Sequence, residues 1–197
     1  AARQPATPTA STLPETAAVP SSSAAPAFAA GPYRYVFPVE GSTSYAHTHH
    51  DYPASDIMAP CGRPVRAVTD GVVLELSRVD RWDPRTNLGA DRGGLSVSIL
   101  GEDGVRYYGS HLSSIMDGLG AGSRVVAGAV IGWVGRTGDA GACHLHFGIS
   151  PPCAATGDWA VRRGVVWPWP YLDAWRSGEG RSPVAEVATW LAQHGCG

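Results

Sequence analysis

From residue 33 onward the chain alternates short apolar and polar runs punctuated by glycine. Residues 33–37 (Tyr-Arg-Tyr-Val-Phe) have the period of two of a half-buried strand and are closed by Pro38. Residues 65–68, the turn Thr69-Asp70-Gly71 and residues 72–76 read as strand, tight turn, strand. Residues 95–100 and 105–111 flank Gly101-Glu102-Asp103-Gly104, a strong hairpin signal because glycine supplies the positive φ such turns need. Residues 125–126, 130–134 and 144–149 add further short strands. Strands at this spacing with little helical periodicity predict a mainly β, antiparallel domain. The polar stretch 78–94 is long for a connection, as loops that rim a binding site often are. One helix is predicted, at the C-terminus: Ser182 can cap it, Pro183 suits its first position, Val184, Val187 and Leu191 share a face, and Gly195 stops it.

Residues 1–31 have no such period. They hold eleven Ala and five Pro but only two charged side chains, Arg3 and Glu15, and bury too little area to offset chain entropy. They are expected to form a disordered Ala/Pro/Ser-rich linker before one domain over residues 32–197, with a C-terminal extension from about residue 150. The 197 residues suit a single domain. Charged residues at 16% and a net charge of -2 give no basic field for a polyanion, which argues against nucleic-acid binding. No apolar run reaches the ~18–20 residues of a membrane span. All fifteen basic residues are Arg and Asn87 is the only Asn, a bias that points to a high-GC bacterium. No charged start leads into an apolar run. The tail and the four Cys therefore carry the expectation of a secreted or cell-envelope, extracytoplasmic monomer.

The chemistry lies in the histidines. In His144-Leu145-His146, strand alternation puts both imidazoles on one face. A hydrolytic zinc site needs about three protein ligands from His and Asp/Glu with a position open for water. His47, His49, His50, Asp51 and Asp56 cluster upstream, and His111 ends a predicted strand. The glycines at 132, 135, 138 and 141 suit tight turns ahead of the His-x-His strand and close approach of a substrate backbone. The run Trp167-Pro168-Trp169-Pro170-Tyr171 reads first as core or a stiff crossover and second as groove lining. His194 reads as a surface residue at a helix end. Four Cys allow three disulfide pairings. Cys143 with Cys153, bracketing the His-x-His strand, is expected, and Cys61 with Cys196 then follows by exclusion.

The segment Asp56-Ile57-Met58-Ala59-Pro60-Cys61-Gly62-Arg63-Pro64-Val65, then Asp70-Gly71-Val72-Val73, His111-Leu112 and His144-Leu145-His146-Phe147, resembles the lysostaphin-type zinc endopeptidases of bacterial cell walls, the LytM and β-lytic metallopeptidases. The resemblance runs from about Phe37 to Ile149. It implies a small antiparallel β-sheet domain with a central groove, of the barrel-sandwich hybrid type, and hydrolysis of peptide bonds in peptidoglycan stems or cross-links with one Zn²⁺ per chain. Asp56 and His146 match its zinc ligands, and His111 and His144 match the catalytic histidines beside the water. The family places its first zinc histidine four residues before the aspartate, where this chain has Tyr52. His50, six residues before, is read as that ligand if a short bulge absorbs the difference, with His49 and then His47 as alternatives. With no His-Glu-x-x-His helix, His144 and His111 must share general-base and oxyanion-stabilising duty, in an undecided order. A catalytically silent LytM-like adaptor or activator of other wall hydrolases is the second reading. A cupin-like metal barrel is disfavoured because no Glu lies between His146 and Glu179.

Overall fold

A computed structural model describes residues 32–153 and 158–196; the linker expected over residues 1–31 lies outside them. The strands are β1 (Ser55–Met58), β2 (Pro64–Arg66), β3 (Gly71–Ser77), β4 (Leu95–Gly101), β5 (Arg106–Ile115), β6 (Arg124–Val125), β7 (Val130–Val134) and β8 (His144–Ser150). Every pairing among them is antiparallel, in the order β1-β8-β5-β4-β3-β6, with β7 joining β5 to β2. The ten-residue β5 is the hub: its first half pairs with β4 and β8, and its last residues turn onto β7. The β4–β5 hairpin forms where the Gly101–Gly104 signal places it, with Gly104 at φ 78°.

Alternation divides the sheet into two faces. Ile57, Leu145, Phe147, Ile149, Val97, Ile99 and Leu112 are nearly inaccessible and join one apolar cluster with Tyr107 and Trp175. The other face of β8 carries His144 and His146. Each large apolar side chain buried in this way contributes about 1.5–3 kcal/mol, so the register that points the histidines into the groove is fixed by what their neighbours bury.

Several local expectations are refined. Residues 33–37 are extended but form no strand: Val36 N–H donates to Val68, a lone bridge joins Val39 to Val65, and Pro38 has no N–H to give. The strands on either side of Thr69-Asp70-Gly71 do not pair with each other; β2 goes to β7, while β3 goes to β4 and β6. Asp70 holds this crossover by accepting the Ala127 N–H at 2.6 Å. The terminal helix, α3 (Val184–His194), ends at Gly195 as expected, but of its predicted apolar face only Val187 is buried. Two further helices precede it, α1 (Trp159–Arg162) and α2 (Trp169–Arg176). Trp169-Pro170-Tyr171 opens α2, which buries Tyr171, Leu172 and Trp175.

The expected disulfide pairing is corrected. Cys61 bonds Cys143, and Cys153 bonds Cys196. Cys143 and Cys153 stand at opposite ends of β8, and a seven-residue strand at ~3.3 Å per residue holds them far beyond the ~6 Å between Cα atoms that a disulfide spans. One bridge instead ties the chain just before His144 to the loop after β1, and the other ties the end of β8 to the end of α3.

Candidate metal centre and active site

The pairing of β1 with β8 sets the site. Asp56 lies directly opposite His146 and Met58 opposite His144, so the carboxylate and both imidazoles emerge from one face. On the other side of β8, Ser110 of β5 is opposite His146. Three imidazole nitrogens converge on a single oxygen, Asp56 Oδ1: His146 Nδ1 at 3.1 Å, His49 Nε2 at 3.5 Å and His144 Nε2 at 3.6 Å. In each ring the opposite nitrogen faces a main-chain carbonyl: Tyr52 for His49 (3.1 Å), Ala142 for His144 (2.9 Å) and Arg163 for His146 (2.8 Å). A carbonyl only accepts, so that nitrogen carries the proton in each ring. In its neutral form each ring then turns a bare lone pair toward the carboxylate, and in its protonated form an N–H. Three lone pairs facing an anion repel unless a cation or protons lie between them, and the carbonyls behind the rings fix their orientation.

Burial works against the charge of Asp56, yet N–H donation from His146 and His49 in their protonated forms, and then the positive fields of protonated His146 and His144, hold its carboxyl well below the usual carboxylate range. His49 is buried, whereas His50 is exposed with its ring edge-on to His49 at 4.7 Å. His49, His50 and Asp56 each offer an atom within 4.8 Å of the others, so two of the three histidines weighed for the first ligand reach the aspartate. His47 does not join them; it pairs with Asp173 at 3.1 Å and stacks on Trp169. His194 stacks on Trp190 of its own helix.

His111 reaches the groove against its strand's alternation. With Ser110 on the histidine face, regular alternation would send His111 toward the core. A bulge between the Leu95–Leu112 and Val97–Gly109 pairs and a left-handed φ of 63° at His111 turn it back. Its N–H donates to Gly93 and its ring Nδ1 to Thr137 O at 2.8 Å. The ring lies 4.7 Å from that of His144. Burial pushes the His111 pKa down to about 4 against a smaller opposing pull from the Thr137 carbonyl, so the imidazole is neutral near pH 7 with Nε2 open as an acceptor.

These groups line an open groove of about 560 Å³. Its walls are the segment around His49 and Tyr52, the stretch 89–93 of the long polar loop, the turn at Asp139 and Gly141, and helix α1 with Trp159, Arg162 and Arg163. The polar loop is therefore a rim, as its length suggested. It is fixed by Asp80, which accepts the Gly138 N–H, and by Arg92 O, which accepts that of Asp139. The Trp167–Tyr171 run does not line the groove; the indole that does is Trp159, seated on Gly89, where a Cβ would meet its ring at 2.4 Å. The sequence reading missed Trp159 and Arg163. Their place depends on Gly148, in the middle of β8, where a Cβ would stand 2.3 Å from Arg163 O. That glycine lets the 163–164 main chain cross β8 closely enough for its carbonyl to reach His146.

Residues 50–157, more than half of the chain, match Peptidase family M23. The chain belongs to that family. Glycyl-glycine endopeptidase ALE-1 of Staphylococcus capitis is 41% identical over 93 residues, which are 47% of this chain and 22% of that protein. DD-carboxypeptidase/endopeptidase Mpg of Neisseria meningitidis is 35% identical over 101 residues, 51% of this chain and 20% of that protein. The chain thus aligns with about a fifth of the length of these relatives. Among solved structures, the catalytic domain of lysostaphin from Staphylococcus simulans superposes with a TM-score of 0.52 at 25% identity, covering 66% of this chain and 92% of that one. An endopeptidase described as lytM from Ruminococcus gnavus gives 0.55 at 25% identity, over 75% of this chain and 62% of that one. The mainly antiparallel β architecture is that of the lysostaphin-like catalytic domains. Helix α1, at Trp159–Arg162, lies beyond the family-matched segment.

Proposed function

We propose that this M23 domain is a zinc-dependent endopeptidase that hydrolyses peptide bonds in peptidoglycan stem peptides or cross-links outside the cytoplasm. The observation that carries this reading is the convergence of three imidazole nitrogens on Asp56 Oδ1, each ring oriented by a main-chain carbonyl behind it. Asp56 and His146 hold the metal, together with a histidine of the His49-His50 pair. Burial, the Tyr52 carbonyl behind its ring and the 3.5 Å reach of its Nε2 favour His49 over the exposed His50. Zinc bound there supplies Lewis acidity and brings the pKa of a water toward neutrality.

The other steps belong to the chain's own side chains. His111, neutral and with Nε2 open, accepts a proton from the attacking water. His144, whose Nδ1 is occupied by Ala142, presents Nε2 beside Asp56, where in its solvent-protonated form it bonds the developing oxyanion and keeps its proton, while the proton His111 took from the water passes to the leaving amine. Asp139, Tyr52 and Trp159 give the groove the mixed polar and aromatic lining an extended peptide needs. Among the described residues no helix is long and apolar enough to cross a membrane, and both disulfides suit an oxidising compartment.

Incubation with purified peptidoglycan tests this reading. New primary amines should appear, stop on addition of a strong chelator and resume when zinc is restored. Stoichiometric zinc without amine release would instead favour the silent adaptor.

A further inference from the structure

Three guanidinium groups line the groove, and two are already committed. Arg92 bonds the Asn87 side chain and lies 3.8 Å from Asp139, while Arg162 pairs with Glu75 at 3.3 Å. Arg163 is not. Its guanidinium carbon stands 3.7 Å from the ring centre of Tyr52 and 4.7 Å from that of Trp159, held between two aromatic faces. Its Nε is buried with no hydrogen-bond partner. Among the described residues no carboxylate comes within 4.0 Å of it. A partly desolvated cation with vacant donors is costly, and a planar fork positioned by stacking is suited to bidentate capture of a carboxylate.

Its position gives this fork a purpose. The Tyr52 ring that carries it also lies 4.5 Å from the His49 ring and 5.9 Å from the His146 ring, so a single aromatic side chain separates the guanidinium from the proposed metal ligands. The residue's own carbonyl holds His146. We propose that Arg163 is a specificity-determining residue that binds a carboxylate of the substrate peptide next to the scissile bond, so that the protein prefers anionic peptides to neutral ones such as an internal run of glycines. The proposal rests on the peptidase reading above and deepens it. The carboxylate has two possible sources: the free C-terminus of a peptide being trimmed, or the side chain of a diamino dicarboxylic residue within a cross-link. The binding chemistry is the same for both.

The test uses the zinc-loaded full chain and three peptides of one sequence. One has a free terminal carboxylate and an amidated side chain, the second has the reverse, and the third is amidated at both. The wild type should favour at least one acid peptide over the doubly amidated one by about tenfold or more in kcat/KM, mainly through KM. Arg163→Met, which keeps an apolar stem over Tyr52, should remove that preference, bringing the kcat/KM ratio of acid to doubly amidated peptide to about one. Arg163→Lys should fall between them, having charge without the planar fork. The acid peptide that loses its advantage identifies the source of the carboxylate. Equal loss on all three peptides, or a preference that survives in Arg163→Met, would overturn the proposal. Zinc content matching wild type shows that a variant is folded, and Arg163→Gln replaces the Met variant if it is not. If no peptide is cleaved, the peptidase reading has failed, and calorimetric binding of the same peptides still decides the carboxylate claim. Tighter binding of an acid peptide that is lost in Arg163→Met supports it, and equal binding of all three overturns it.

Discussion

His49 and His50 are adjacent in sequence, yet they meet different surroundings. His49 is enclosed, with Tyr52 O behind it and Asp56 in front, whereas His50 faces solvent at the groove's rim. Removing a ligand costs the metal far more than removing a rim residue, so His49→Ala should strip zinc from the purified protein while His50→Ala keeps it. Metal analysis of the two variants checks this, and the opposite pattern would hand the ligand role to His50. His111 differs in kind. Its Nε2 is an open acceptor and its backbone is strained to bring it there, which fits a proton carrier. His111→Ala should retain zinc and lose about 10²–10⁴-fold in kcat, the usual range for a removed general base. Single-turnover kinetics on a soluble peptide would measure the loss, and a drop in zinc content instead would make His111 a ligand.

At the scale of elements, β8 and its crossing at Gly148 carry the arrangement. Any side chain at 148 must displace the 163–164 main chain and with it the hydrogen bond that fixes His146. Gly148→Ala should therefore weaken zinc affinity about 10–100-fold, the usual cost of losing an outer hydrogen bond to a metal ligand. A competition titration with a chromogenic chelator reads this directly. The β4–β5 turn offers a test of the frame rather than the site. Asp103 there is buried and accepts hydrogen bonds from Tyr35, Tyr107 and the Val105 N–H. Burial raises its pKa above the ordinary 3.8, against the lowering effect of those bonds. The folded state thus holds this proton more tightly than the unfolded chain. The stability contributed by the protonated carboxyl is fully present below about pH 3.8 and is lost as pH rises through the raised folded value. Asp103→Asn removes that titration, so the excess stability of wild type over the variant should be largest in acid and narrow as pH rises, as urea unfolding across pH would show.

Elements were legible in the sequence where the signal was local. The hairpin at Gly101–Gly104, the His-x-His strand and the stop at Gly195 all follow from alternation or glycine chemistry within a few residues. What escaped was set by contacts distant in sequence. Alternation alone would have buried His111, because the bulge opposite Ser96 is invisible without its partner strand. Helix α1 is too short to show a period, and Arg163 is placed by a glycine fifteen positions earlier. The disulfide pairing misled for a related reason: closeness in sequence is poor evidence of closeness in space when the intervening segment is an extended strand. The resemblance to known enzymes, rather than spacing, pointed to Asp56 and His146.

For the molecule as a whole, a β-sheet packed on an apolar cluster presents one polar face, and the loops and helix α1 build walls around it. The two disulfides tie the start of β8 to the loop after β1 and its end to α3, so the strand bearing both groove histidines is fastened at each end. The family assignment establishes the lineage, and the proposed zinc site turns on His146. The most direct measurement is the zinc content of the purified protein with and without His146→Ala. One zinc per chain is expected in the wild type, and its loss in the variant. Zinc retained in full by the variant would contradict the proposed site.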